Sequence, residues 1–169
     1  MSRARERISW LILTYRVPGE PGRLRSRVWR RLKAAGAVYL TGSVAALPAS
    51  PAAERLLRRL RSDITRMGGS AQLMRAGAVA GGADLVRLFN AARDDEYAQL
   101  IAGCDDLMGM IGSSAAGPPG FAGLEQGDRE LARLTGWYKK VRARDAFGAS
   151  QAESAVTALA KCRDALTVR

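Results

Sequence analysis

The order of apolar segments in the first half of the chain is the feature that most constrains its fold. An apolar run at residues 8–17, rich in β-branched and aromatic side chains and ended by Pro18-Gly19, is typical of a buried strand. Apolar residues at four-residue spacing then continue to about Ala35, with Pro21 where a first helical turn tolerates proline and Gly36 as a stop. This pattern predicts a strand followed by a helix.

The next segment predicts a hairpin and a second helix. Two short apolar runs, Val38–Thr41 and Val44–Leu47, flank Gly42-Ser43 at the spacing of a β-hairpin. Ser50-Pro51 then opens a helix, because serine is a good N-cap and proline suits the first helical position. Gly68-Gly69 is expected to end this helix.

The pattern of residues 70–80 indicates one more strand, which completes the order βαββαβ. This order is that of the ferredoxin-like arrangement. Right-handed crossovers would place both helices on one face of a four-stranded sheet. We therefore predict a ferredoxin-like unit over residues 1–80.

Beyond Gly81-Gly82 the apolar periodicity becomes helical. The expected helices are Ala83–Ile111, Leu124–Phe147 and a third that Ser150 caps. The segment Gly112–Gly123, which contains Pro118-Pro119, is expected to be a flexible loop. The predicted fold class is thus α+β, a ferredoxin-like βαββαβ unit followed by an α-helical C-terminal lobe. The lobe covers residues 83–169, and we expect it to pack with the first unit as one structural unit.

Positive charge is concentrated in the first half of the chain. Residues 1–80 contain 16 Lys and Arg against 4 Asp and Glu, whereas residues 81–169 contain 11 against 12. A net charge of +11 with this asymmetry favours polyanionic partners. Arginine outnumbers lysine, and its planar guanidinium suits bidentate recognition of phosphate.

Arginines recur on the outer faces of both predicted helices of the first unit. In the first helix Leu24, Val28 and Leu32 mark the core face, and the arginines occupy another face. Like charges four residues apart repel, so such a row opposes helix stability unless a polyanion binds it. A merely solvated face is the alternative interpretation. The candidate DNA or anion contacts are Arg16, Arg23, Arg25, Arg27, Arg30, Arg31, Arg55, Arg58 and Arg59.

A second group of polar residues lies on the third predicted helix. Its members are Arg87, Asn90, Arg93, Glu96 and Tyr97. Such a group is either a polar binding site or an internal ion-pair network that holds the helical lobe, and we favour the network.

Several kinds of catalytic chemistry lack their residues in this sequence. There is no histidine, hence no Ser-His-Asp or Cys-His arrangement, and no phosphate-binding or dinucleotide-binding glycine motif. Cys104 and Cys162 lie on apolar stripes and are expected to be core residues, with no metal site and no cofactor. No apolar run reaches transmembrane length. We expect a cytoplasmic protein that is not an enzyme and has no membrane partner.

Four segments of the sequence are similar to a known family. They are WLILTYRVP from Trp10, GRLRSRVWRRLKAAGAVYL from Gly22, FNAARDDEY from Phe89 and RARDAFGA from Arg142. Together they resemble the N-terminal region of the chromate-resistance regulatory protein ChrB, over about residues 8–166.

The resemblance implies a bacterial, chromate-responsive transcriptional regulator that binds the promoter DNA of a chromate-resistance operon. It carries the role of DNA contact onto Arg23, Arg25, Arg27, Arg30 and Arg31. It assigns no role to the group on the third helix. Longer members of the family have a second, C-terminal domain. If chromate sensing belongs to that domain, this chain binds DNA or partners without sensing.

Two other functions remain open on the sequence. The first is an oxyanion-sensing or protein-interaction module without direct DNA binding, since arginine clusters suit chromate as well as phosphate. The second is a ferredoxin-like nuclease, but such nucleases use a carboxylate at the end of the first strand, where this chain has Tyr15-Arg16. Ferredoxin-like units often dimerise, so a homodimer is expected.

Overall fold

The computed structural model describes residues 8–19, 22–113 and 121–168. Within these residues the strands are β1 (Ser9–Arg16), β2 (Val38–Thr41), β3 (Val44–Pro48) and β4 (Ser70–Gly77). The helices are α1 (Arg23–Ala35), α2 (Pro51–Arg66), α3 (Gly82–Ser113), α4 (Phe121–Arg144) and α5 (Ala152–Thr167). The chain divides into two compact units, residues 1–89 and 90–169.

The first unit contains a sheet of strand order β2-β3-β1-β4 in which all neighbours are antiparallel. The prediction of an α+β fold, with a sheet interleaved with helices and followed by helices α3 to α5, is confirmed. The predicted hairpin is also confirmed, because β2 pairs with β3 across Gly42-Ser43. A register irregularity lies between Tyr39 and Thr41.

The central strand β1 buries side chains on both faces of the sheet. Leu11, Leu13 and Tyr15 alternate along one face, and α2 packs against β1 and β4. On the other face Trp10 is 1% exposed and packs edge-to-face on Phe89, with ring centroids 6.1 Å apart. The sheet therefore contributes to the apolar core of the first unit on both of its sides.

The helix ends of the first unit follow the predicted signals. Gly36 ends α1 with φ of 84°, in the left-handed region that glycine tolerates best. The Ser50 Oγ accepts a hydrogen bond from the Ala53 N–H at 3.1 Å, and Pro51 occupies the first helical position of α2. Leu24, Val28 and Leu32 are buried as predicted. The predicted role of Pro21 falls outside the described residues.

Several predicted boundaries in the rest of the chain are wrong. Strand β4 ends at Gly77 rather than residue 80, and α4 ends at Arg144 rather than Phe147. Helix α4 stops there because the next carboxylate, that of Asp145, accepts hydrogen bonds from the N–H groups of Gly148 and Ala149, both at 3.0 Å. The loop predicted at 112–123 is shorter at both ends, and its residues 114–120 lie outside the described chain.

Helix α5 begins differently from the prediction. Its N-cap is Gln151, which makes no side-chain capping bond, and not Ser150. The Ser150 Oγ instead donates to Asp94 at 3.0 Å, and Asp94 also accepts the Gln151 N–H at 2.8 Å. A carboxylate from α3 thus does the capping that the sequence assigned to serine.

The second unit has a helical core. Its largest fully buried side chains are Tyr97, Leu100, Leu107 and Leu134. Cys104 and Cys162 are buried in the same core, as their place on apolar stripes predicted. Within the described ranges, no helix has the length and apolar character needed to cross a membrane.

Candidate functional site

The first unit contains several exposed arginines that have no hydrogen-bonded or ion-paired carboxylate among the described residues. Their side chains make no hydrogen bond or ion pair with any residue that the structure describes. We call them the free-arginine set: Arg23, Arg25, Arg27 and Arg30 of α1, and Arg55 and Arg59 of α2. Because Arg23 and Arg27, and likewise Arg55 and Arg59, are four residues apart, neighbouring charges in the set repel.

Arg31 belongs to the same row on α1, but the fold uses its charge. Its Nη1 lies 2.5 Å from Oδ2 of Asp63 on α2, and Oδ1 of Asp63 is 2.9 Å from Nη2 of Arg66. The hydrogen bond from Arg31 lowers the pKa of the Asp63 carboxyl, and the charges of Arg66 and Arg27 act in the same direction. This contact places α1 beside α2 and leaves Arg31 less exposed than the free-arginine set.

Arg58 is also paired, through a carboxylate that bridges α2 and β4. Glu54 Oε1 accepts from Arg58 at 2.7 and 3.0 Å, while Glu54 Oε2 accepts from Arg75 of β4 at 2.7 Å. These hydrogen bonds, with Arg58 the larger cause, lower the pKa of Glu54. The three side chains line a cleft of about 530 Å³, whose wall also includes Arg61 and Leu11. The sequence analysis did not find Arg75, since only the fold brings α2 and β4 together.

Arg16 does not join the arginines of α2. It ends β1 and is exposed. Because side chains of a strand point to opposite faces in turn, Arg16 shares the face of Trp10 and not that of Leu11, so its side chain lies on the sheet face opposite α2. Among the predicted contacts, the free-arginine set is therefore unpaired, and Arg31 and Arg58 are paired with carboxylates. Arg16 lies on a different face of the sheet from the arginines of α2.

The polar residues of α3 form an ion-pair network in the second unit. Arg93 is 3% exposed, and its Nε lies 2.8 Å from Oε2 of Glu96. Glu96 also accepts from Arg144 of α4, with Nε of the arginine at 3.3 Å and Nη2 closer still. Burial lowers the pKa of the Arg93 guanidinium below its ordinary value, although Glu96 opposes this effect. One carboxylate thus links two arginines from different helices.

Asp145 completes this part of the second unit. The Tyr97 hydroxyl donates to its Oδ2 at 3.1 Å, in addition to the backbone bonds from the turn that follows α4. The other two members of the predicted group behave differently. Arg87 pairs with Asp84 at an exposed position, and the Oδ1 of Asn90 is buried with no hydrogen-bond partner among the described residues. Sequence reasoning did not predict that Arg144 and Asp145 pair with α3, because they lie 48 residues from Glu96 and Tyr97.

The two thiols lie close together in the core of the second unit. The Cys162 Sγ donates to the backbone oxygen of Cys104 at 3.4 Å. Burial, followed by the neighbouring Cys162, raises the pKa of the Cys104 thiol to about 12. The pKa of the Cys162 thiol is also raised, again mainly by burial. Both side chains act as small core residues in this structure.

A four-stranded antiparallel sheet with unpaired arginines on its helices, followed by a helical unit with buried ion pairs, defines a basic α+β protein with an arginine-rich surface. The chain belongs to the ChrB N-terminal domain family: the family model described as Protein ChrB, N-terminal, matches residues 25–168. This family is linked to chromate resistance. No curated protein and no solved structure matches the chain significantly.

Proposed function

We propose that this chain is a transcriptional regulator of a chromate-resistance operon that binds duplex DNA through the free-arginine set. The observation that carries the proposal is that these six arginines are exposed and have no partner among the described residues. Three other arginines of α1 and α2, Arg31, Arg58 and Arg66, have carboxylate partners. Their mutual repulsion is a cost that a bound polyanion relieves. The family membership supplies the link to chromate.

The architecture of the first unit supports this proposal. The order β2-β3-β1-β4 is what a split βαββαβ unit gives when each helix crosses over one strand, so we assign the unit to the ferredoxin-like class. In this arrangement α1 and α2 lie side by side, as the contact between Arg31 and Asp63 requires. Exposed guanidinium groups on two adjacent helices match the spaced phosphates of a duplex better than a single small anion.

The proposed chemistry is binding and not catalysis. Guanidinium groups contact phosphate oxygens, which orients the protein on DNA, and each neutralised phosphate releases counterions. Affinity should therefore fall steeply with salt. Promoter preference would come from base-edge contacts or DNA shape beside this electrostatic contribution.

The test is a fluorescence-anisotropy titration of the full chain against a chromate-operon promoter fragment and a random duplex, over a salt series. Each titration is repeated with chromate and with sulfate as the matched oxyanion. Promoter preference that chromate weakens and sulfate does not would support the regulator. Weak binding to both duplexes, absent near physiological salt, would reject direct DNA recognition. Saturable chromate binding under those conditions would then favour an oxyanion-sensing module.

A further inference from the structure

Strand β4 forms an edge of the sheet whose outer side has no partner among the described residues. The Tyr15 N–H donates to Ser43 O at 3.1 Å, so Tyr15 directs its backbone groups toward β3 and away from β4. Its partner across the ladder, Ala71, therefore directs its N–H and C=O outward, and by alternation Leu73 and Arg75 do the same. This edge offers a row of backbone donors and acceptors to another strand.

The surroundings of this edge are strongly basic on the side of α2. The cleft beside β4 is lined by three arginines, Arg58, Arg61 and Arg75. Glu54 also lines this cleft and contributes a carboxylate. The Arg61 Nε donates to Ala71 O at 3.0 Å, so the fold itself satisfies the first outward carbonyl. The outward backbone groups of Leu73 and Arg75 have no such partner in the described chain.

The other side of the edge carries Met74 and Gln72. Met74 alternates with Leu73 and Arg75, pairs across the ladder with Ile12, and is 46% exposed. A strand laid along β4 would therefore direct every second side chain toward the arginine cleft and the others toward Met74.

We propose that the β4 edge binds an extended acidic segment of a partner protein as an additional strand. The segment's backbone pairs with Leu73 and Arg75, its acidic side chains enter the cleft of Arg58, Arg61 and Arg75, and its intervening side chains pack on Met74. The fitting segment alternates acidic and apolar residues. This is strand addition, in which main-chain hydrogen bonds give affinity and alternate side chains give specificity.

Charge argues against a second copy of this chain as the occupant. Two β4 edges related by a two-fold axis would bring the arginine clefts of both copies together, with three guanidinium groups and one carboxylate from each. Like charges opposed across paired strands are destabilising. Nucleic acid fits less well than a strand, because phosphates are acceptors only and leave the outward carbonyls of Leu73 and Arg75 unsatisfied.

The test uses the full chain and a fluorescein-labelled peptide of about nine residues, the length of a strand, with alternating Asp and Val. Anisotropy measures its affinity beside that of a peptide with Lys in place of Asp. Two further peptides carry N-methyl groups on the Asp residues or on the Val residues. Because alternate residues direct their N–H groups to opposite edges, one N-methylated peptide should lose binding about tenfold or more and the other should retain it.

Protein variants identify the location of the peptide. Arg61→Gln and Arg75→Gln should each weaken peptide binding about tenfold, since each removes a charge-assisted hydrogen bond. Arg59→Gln, on the same helix but in the free-arginine set, should leave it unchanged. Equal binding of both N-methylated peptides would overturn strand addition. The proposal would also be overturned if Arg61→Gln lost as much affinity for duplex DNA as for the peptide. It would likewise be overturned if sedimentation showed a dimer of this chain that the peptide dissociates. Failure of DNA binding alone would leave this proposal intact.

Discussion

Arg31 of α1 and Asp63 of α2 are 32 positions apart in the sequence, yet a guanidinium nitrogen of one lies 2.5 Å from a carboxylate oxygen of the other. This contact is what separates the arginines that hold the fold together from those that remain exposed. The same row on α1 contains both kinds, because Arg31 is the α1 arginine that hydrogen-bonds Asp63 of α2. The pair therefore has consequences for stability, and its neighbours on α1 have consequences for binding.

The Arg31–Asp63 pair predicts a loss of stability in acid. The folded-state pKa of Asp63 is lowered below its ordinary value of 3.8, so the pair's stabilisation is fully present above that value. It is lost as the pH falls through the folded-state pKa. In urea unfolding, Asp63→Asn should be less stable than the parent at pH 7, and the difference should shrink as the pH falls below 3.8. Arg31→Gln should show the same dependence on pH. If either variant were destabilised by the same amount at pH 7 and below pH 3.8, the assignment would be contradicted.

The free-arginine set predicts the salt dependence of DNA binding. Arg27→Gln and Arg30→Gln should each reduce the slope of log affinity against log salt by about 0.9, the contribution of one phosphate contact. The loss should be similar for promoter and random duplexes, because phosphate contacts carry no sequence information. Arg129→Gln, an exposed arginine of the second unit, serves as the control and should leave the slope unchanged. An equal effect of Arg129→Gln would mean that net charge alone drives binding.

The ion-pair network of the second unit predicts a large effect of one carboxylate. Glu96→Ala leaves the buried guanidinium of Arg93 without this carboxylate, which should lower the free energy of unfolding by about 3–5 kcal/mol. Arg87→Ala removes an exposed pair on the same helix and should change stability by less than about 0.5 kcal/mol. Thermal and urea unfolding of both variants make the comparison. Equal stability of the two would show that Arg93 does not depend on Glu96.

Two glycines provide a matched test of packing. A Cβ at Gly69 would lie 2.6 Å from the Arg16 carbonyl oxygen and 2.7 Å from Ile64 Cγ2, so Gly69→Ala should cost about 1–3 kcal/mol. A Cβ at Gly109, inside α3, would have no neighbour within 4 Å among the described residues. Gly109→Ala should therefore stabilise the chain by up to about 1 kcal/mol, since alanine favours a helix over glycine. The urea midpoint should fall in Gly69→Ala and rise in Gly109→Ala, relative to the parent protein. An unchanged midpoint in Gly69→Ala would refute the close approach.

Local signals account for the parts of the fold that the sequence predicted. Ser50, Pro51 and Gly36 act within one helical turn, so their effect is visible in the residues next to them. The hairpin at Gly42-Ser43 is equally local. The buried faces of α1 and α2 follow from apolar spacing, which is a property of a single helix.

Contacts between distant residues account for what the sequence did not predict. Ser150 is a good N-cap by type, but Asp94 reaches it from α3 and takes over the helix start. Phe147 was expected inside α4, yet the turn built on Asp145 ends the helix earlier. Asp63 was one acidic residue among many arginines, and no spacing rule showed that it would meet Arg31. Asp94 and Asp63 are separated by many positions from their partners, whereas Asp145 acts on the turn directly after it, and in each case a carboxylate determines the local structure.

The free-arginine set also bears on how the chain tolerates change. Repulsion among Arg23, Arg27 and their neighbours opposes the fold, so replacing them with neutral helix formers should raise the melting temperature. A screen for thermostability alone would therefore select variants at these positions first. If the same positions contact a polyanion, those variants would be the most stable and the least functional ones recovered. The two properties compete on a single surface, and an engineer who stabilises this protein should leave α1 unchanged.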